Sequence, residues 1–230
     1  YVAWFTTVQY SSISDRTLKP FNPILGETYE LVTKDFKYLA EQVSHHPPIT
    51  AGHAYGKGYE YWTHTEMKSK FWGKSLEFTP LGKAYCIIGD EHYVSTRPKT
   101  IANNVIFGTL FLDLGGTTTT TCPQTGIKCE LNHKERGWTN KNAFKVEGTV
   151  YDENGESAMN IQGRWNEMIT TTNLKTNEET VIWEIKPKAE NFEDQCGLTR
   201  FAINLNHLPD SLKGKIAPTD SRYRPDLREF

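Results

Sequence analysis

At 230 residues the chain is long enough to bury a substantial core, as one large domain or two small ones. Its 26 basic and 28 acidic residues leave a net charge of −2, so no global basic charge advertises nucleic-acid binding and any ionic recognition must be local. Aromatic residues make up 12% and are spread along the chain, which suits half-buried strands or an apolar cavity.

The chain opens on an apolar stretch, Tyr1-Val-Ala-Trp-Phe5, and stops in a charged one, Arg228-Glu-Phe230, which reads as a cut piece of something longer. Leu18-Lys-Pro-Phe-Asn-Pro-Ile-Leu-Gly-Glu27 follows. Lys19 and Asn22 each precede a proline and are biased to extended geometry, and Gly26 permits a tight bend. Glu41-Gln-Val-Ser-His-His-Pro-Pro48 sets two adjacent imidazoles on a segment stiffened by two prolines. Such rings supply N–H donors and take up positive charge, which suits a phosphate-bearing ligand; a strand end with two exposed histidines fits the pattern equally well.

Short strand signals dominate the rest. Residues 74–79, 83–88 and 92–96 are separated by Pro80-Leu81-Gly82 and Gly89-Asp90. Residues 105–114 predict a long apolar strand, and Gly115-Gly116 predicts a turn into a threonine strand at 117–121. After Thr125-Gly126, residues 127–131 alternate, and Asn154-Gly155 between 146–151 and 157–165 is a strong hairpin signal. Residues 163–185 give a further pair over a polar link at 173–179, and Phe201, Ile203 and Leu205 predict one more strand. Pro209, Pro218 and Pro225 punctuate a charged tail that reads as a surface crossing. The expectation is one domain, 1–230, built as a meandering antiparallel sheet that closes or folds over.

Cys86, Cys122, Cys129 and Cys196 show no paired spacing, so a reduced, cytosolic setting is expected. The residues given show no cationic-plus-apolar signal pattern and no apolar run of about 18 residues, so a chain that does not span a membrane is expected. His45, His46 and His53 lack the further ligands of a metal site, and no G-x-S-x-G elbow supports a hydrolase. The Lys68–Lys74 stretch mixes cations with aromatics: a membrane surface, single-stranded nucleic acid or a solvated strand face would all account for it.

The two proline-stiffened segments together resemble the oxysterol-binding protein family. EQVSHHPP at 41–48 looks like that family's signature, and KPFNPILGE at 19–27 resembles its other marker. Residues 1–12, 70–77 (KFWGKSLE), 103–108 (NNVIFG), 125–131 (TGIKCEL), 146–163 and 218–228 (PTDSRYRPDLR) resemble further segments in order. The resemblance implies a large, nearly closed antiparallel β-barrel around an apolar tunnel. It implies a non-enzymatic carrier of one lipid, sterol or phosphatidylserine, moved between membranes in exchange for phosphatidylinositol 4-phosphate. Lys19, Asn22, His45 and His46 match the residues that hold the inositol phosphate head group, and Gln9 and Tyr10 fall where sterol-binding members place polar residues deep in the tunnel. No metal or other cofactor, no nucleic acid, a monomeric state and a cytoplasmic location with transient contact at membranes or membrane contact sites are expected. The alternative is a lipid head-group hydrolase or phosphatase using the His45–His46 pair; a β-sandwich interaction module is a third reading.

Family members also carry a lid ahead of this region and, after it, a helix whose Lys, Glu and Arg complete the head-group site. On this resemblance the sequence given is expected to begin after the lid and end before the helix, and Lys213, Lys215, Arg222 and Arg224 are not taken as stand-ins for the helix residues. A chain extended at both ends is expected to hold phosphoinositide more tightly and leak cargo more slowly.

Overall fold

The structure, a computed structural model, describes residues 1–7, 22–137, 140–188 and 190–225. A short helix, α1 (Val2–Thr7), is followed by β1 (Thr28–Val32), β2 (Phe36–Ser44), β3 (Ile49–Gly56) and β4 (Tyr59–Phe71). Next come β5 (Ser75–Pro80), β6 (Ala84–Ile88), β7 (Glu91–Ser95), β8 (Lys99–Asn103) and β9 (Phe111–Thr121). The last strands are β10 (Lys128–His133), β11 (Lys145–Tyr151), β12 (Ser157–Arg164), β13 (Met168–Asn173) and β14 (Glu179–Glu184). All fourteen strands belong to one sheet, and every ladder between them is antiparallel.

The topology is simpler than the strand count suggests. β5 and β6 lie end to end along β4, and β7 and β8 lie end to end along the same pair. Each is one strand row broken in the middle, so the sheet is an up-and-down meander in which every row pairs with the next in sequence. The breaks have local causes. The Leu81 N–H reaches Glu66 O at 2.9 Å, and a Cβ on Gly82 would lie 2.1 Å from His64 O, so the chain passes too close for any side chain. In the second break Pro98 offers no N–H, and the Arg97 guanidinium leaves the row to donate to Thr65 Oγ1 at 2.6 Å and to Thr63 Oγ1.

The core lies between this sheet and α1. Val2, Ala3 and Phe5 pack into one cluster with Cys86, Leu114, Leu131, Val146, Ile161 and Trp165. A six-residue helix that touches β7, β9, β10 and β14 together requires the sheet to curl around it. The threonine strand supplies the polar seat: Thr120 Oγ1 donates to Ser95 Oγ at 2.8 Å and meets Thr6 Oγ1 at 2.6 Å, leaving no buried hydroxyl of that trio unbonded. The mainly β, antiparallel fold class expected from the sequence is therefore the one observed. The edge of β1 is covered by the charged tail: the Thr28 N–H donates to Thr219 O at 2.9 Å and the Glu30 N–H to Asp220 Oδ2 at 3.0 Å.

Three expectations fail. Residues 105–110 form a loop, not a strand: Asn104 adopts φ +60° and its amide Nδ2 closes the loop onto Thr109 O at 3.0 Å, so the strand starts at Phe111. Gly115 and Gly116 do not turn the chain but lie inside β9, where its neighbour on one edge changes from β8 to β7. A Cβ on Gly115 would meet Glu135 Oε1 at 3.1 Å and Ile101 Cδ1 at 3.2 Å, so close packing selects the glycine. Phe201, Ile203 and Leu205 sit in a helical turn, α2 (Arg200–Ile203), continued by a 3₁₀ turn at Asn204–Asn206. Thr199 caps it, accepting the Ala202 N–H at 3.3 Å, and Phe201 and Leu205 share a face as i and i+4.

Candidate functional site

The two proline-rich motifs are joined by their backbones. The Gly26 N–H donates to Gln42 O and the Gln42 N–H to Glu27 O, both at 2.9 Å, extending the β1–β2 ladder into the end of one motif and the start of the other. Gly26 makes the bend at φ +77°, in the left-handed region that glycine adopts without strain.

Glu27 is buried and anchors the first motif. Its Oε2 accepts the Ile24 N–H and the Arg224 Nη1, each at 2.8 Å, and its Oε1 accepts the Ser221 hydroxyl at 2.5 Å. Arg224 Nη1 also donates to Asn22 O at 3.0 Å, so the backbone of Asn22 is held by the same ion pair. Next to it, Arg222 and Asp220 form a buried bidentate pair at 2.7 and 2.8 Å. Burial opposes ionisation of Asp220, but donors from Arg222 and the Glu30 N–H outweigh it and hold the carboxyl below its ordinary range. Arg222 also donates to Glu30 O at 2.5 Å and lies 4.8 Å from the Tyr29 ring. The PTDSRYRPD-like tail therefore clamps the first motif and β1.

Asn22, Glu27, Asn206, Ser221 and Arg224 form the polar part of the wall of a cavity of about 500 Å³. The remainder of the wall is largely apolar, from Tyr29, Leu31, Phe36, Tyr38, Phe201 and Leu205. Burial raises the Tyr38 hydroxyl's pKa, as it does that of Tyr29, whose hydroxyl donates to Leu205 O at 2.9 Å and ties the α2 turn over the cavity. The volume and the lining, apolar with a few convergent polar groups, are those of a small-molecule site.

His45 and His46 occupy the turn between β2 and β3, both exposed, with ring centroids 4.5 Å apart. Neither ring makes a side-chain hydrogen bond or ion pair among the described residues, so their donors face solvent. Gln42 braces the turn: its Nε2 donates to Ser44 O at 2.7 Å and its Oε1 accepts Thr50 Oγ1 at 2.5 Å. The structure thus brings Asn22 into a cavity wall and sets the two imidazoles at the end of the adjoining strand. Lys19, Gln9 and Tyr10 lie outside the described residues.

Sequence reasoning missed Glu27, Gln42, Ser221 and Arg224. All four stand inside segments already singled out, but their roles depend on partners far along the chain. Lys213 pairs with Asp210 on the surface at 2.6 Å. All four cysteines are free, and among the described residues no group of three His, Cys, Asp or Glu side chains could hold a metal. No helix among them is long and apolar enough to cross a membrane.

Comparison with known proteins places this architecture. The family model described as oxysterol-binding protein matches residues 1–230. The chain is 35% identical to mouse oxysterol-binding protein-related protein 3, over 99% of this chain and 27% of that protein. It is 37% identical to oxysterol-binding protein-related protein 1B of Arabidopsis thaliana, over 99% of this chain and 47% of that protein. It therefore spans between about a quarter and a half of these relatives. Among solved structures, the Osh1 ORD domain in complex with cholesterol matches with TM-score 0.87 and 32% identity, over 99% of this chain and 59% of that one. The Osh3 ORD of Saccharomyces cerevisiae in complex with PI(4)P matches with TM-score 0.80 and 30% identity, over 91% and 57%. A curled antiparallel meander with its two proline-stiffened motifs paired beside an amphiphilic cavity, matched along its whole length, belongs to the oxysterol-binding protein family.

Proposed function

We propose that this chain acts as a single lipid-carrying domain, a monomer without enzymatic activity, that holds one lipid in its interior and exchanges it for phosphatidylinositol 4-phosphate. The pairing of Gly26–Glu27 with Gln42 carries this reading, because it fixes both proline-stiffened motifs to one strand pair, of which the first motif borders the cavity. Relatives solved with cholesterol and with PI(4)P support both ligand classes. In this reading Asn22 gives an amide donor, His45 and His46 give imidazole donors, and Lys19 a compact cation for the phosphate. Acyl chains or the sterol leave water for apolar walls, at roughly 25 cal/mol per Å² buried, with Gln9 and Tyr10 supplying polar contacts to a sterol. Sterol and phosphatidylserine are both candidates for the second lipid. The protein works in the cytoplasm, peripheral at membranes.

A two-liposome transfer assay tests the exchange. Fluorescent sterol or phosphatidylserine should move faster when the opposing liposomes contain phosphatidylinositol 4-phosphate, with no phosphate released. Transfer indifferent to the phosphoinositide would remove the exchange step, and release of free phosphate would replace the carrier with a phosphatase.

A further inference from the structure

Two loop tips stand side by side at the end of the sheet that carries the His45–His46 turn. β3 begins at Ile49 opposite Glu66, and β4 runs on to Phe71. At about 3.3 Å per strand residue, the β4–β5 tip reaches roughly 17 Å past the start of β3 along the strand. The β8–β9 loop is held against it, the Val105 N–H donating to Lys74 O at 3.2 Å.

These tips expose what a folded chain ordinarily buries. Phe107 is 86% exposed, Phe71 and Trp72 57% each and Ile106 55%. Around them are Lys68, Lys70 and Lys74, with no acidic residue anywhere in 67–76 and no charge at all in 104–110. Lys70 Nζ lies 3.7 Å from the centre of the Trp72 ring, and among the described residues none of the three lysines has a carboxylate partner. Contiguous exposed aromatic and aliphatic groups mark a contact surface. The shape and charge select the partner. A projecting tip has no groove to receive a protein segment, whereas aromatic rings at head-group depth, flanked by lysine stems that carry ammonium groups to phosphates, match the interface of an anionic bilayer.

We propose that Phe71, Trp72, Ile106 and Phe107 insert into the interfacial layer of a membrane while Lys68, Lys70 and Lys74 engage its anionic head groups, docking the chain with its histidine turn toward the bilayer. This rests on the lipid-carrier reading only for the purpose of docking; the choice of partner follows from the apolar and charge pattern.

The test is flotation of the full chain with phosphatidylcholine vesicles, with and without phosphatidylserine. Trp72→Ala/Phe107→Ala should reduce binding at least about tenfold on both kinds of vesicle. Lys68→Gln/Lys70→Gln/Lys74→Gln should cost on the order of fivefold per lysine, on phosphatidylserine vesicles alone. Quenching of tryptophan emission by bromine-labelled acyl chains should diminish in Trp72→Phe. All these side chains are exposed, and unchanged thermal melting confirms that the variants fold. Unchanged flotation by both multiple variants would overturn the proposal, as would a change in oligomeric state in place of a change in flotation. Uptake of sterol and phosphoinositide from detergent micelles, where no bilayer exists, separates the two claims: normal uptake with unaltered flotation sinks the docking surface alone, and absent uptake with the expected flotation losses sinks the carrier.

Discussion

Arg224 reaches back across most of the chain to Glu27, its Nη1 standing 2.8 Å from one carboxylate oxygen and 3.0 Å from the carbonyl of Asn22. A proline-stiffened motif near one end of the chain is thereby held by a charged tail near the other, 197 residues away. Glu27→Ala should cost on the order of 3 kcal/mol in urea unfolding, because it removes a carboxylate partner of a largely buried guanidinium, weakens the seat of the Ser221 hydroxyl and leaves the Ile24 N–H without its acceptor. Arg224→Lys should do less damage to the fold but loosen Asn22, since an ammonium on a shorter stem does not put its nitrogen where Nη1 meets both acceptors. Equal stability of Glu27→Ala and the parent would refute the clamp.

Gln42 gives a test of positioning as opposed to contact. Its backbone ties the two motifs together and its side chain spans the base of the His45–His46 turn. Gln42→Leu should leave Ser44 O and Thr50 Oγ1 short of partners, cost about 1–3 kcal/mol, and speed amide exchange at 44–50. Phosphoinositide extraction should fall even though Gln42 reaches the head group only through the turn. Undiminished extraction with a mobile turn would show that the imidazoles need no bracing.

Gly82→Ala should be among the most harmful single-methyl additions, because the new Cβ would stand 2.1 Å from the His64 carbonyl oxygen. About 3 kcal/mol is expected, at the upper end of overpacking costs, with the gap between β5 and β6 widened. Gly116→Ala is the control: nothing lies within 4 Å of that Cβ, so only its φ of +86° opposes the change. Similar melting temperatures for Gly82→Ala and the parent would show that the rows do not approach as described.

His133 is 2% exposed, and burial lowers its pKa to about 4, against an opposing hydrogen bond with Gly116 O. Its folded-state pKa is depressed, so the unfolded chain binds the proton more tightly. Stability is complete above the unfolded value, about 6.5, and is lost as pH falls toward 4. Between pH 7 and pH 5 this one group should remove about 2 kcal/mol. His133→Gln should lose that much less over the same interval, read as the difference between two urea titrations. Parallel pH profiles would mean the imidazole is solvated or paired well enough to protonate in place.

Local chemistry was legible in the sequence and remote partnership was not. Asn154-Gly155 marked a real hairpin, with Gly155 at φ +80° and Asp152 Oδ1 accepting the Asn154 and Glu156 N–H groups at 3.0 and 2.9 Å. The five threonines form a strand because alternate side chains find hydroxyl or carbonyl partners on the buried face. Residues 105–110 misled because their apolar side chains resemble a strand's while serving an exposed tip. Phe201, Ile203 and Leu205 misled because alternating apolar residues also satisfy i, i+4, and Thr199 supplied the cap that decided it. Of the candidate site, the imidazole turn and Asn22 were visible as stiffened motifs. Glu27 and Gln42 were not distinguished from their neighbours, since which strand lies beside which depends on the whole meander.

The central claim is that the His45–His46 turn contributes to a phosphoinositide head-group site. Extraction of head-group-labelled phosphatidylinositol 4-phosphate from liposomes by the parent chain and by His45→Ala/His46→Ala tests it most directly. Both rings are exposed, so the double variant should melt like the parent while extracting at least about tenfold less, as expected when two donors to a phosphate are removed. Extraction equal to the parent's would contradict the account and reduce the two histidines to the surface of a turn.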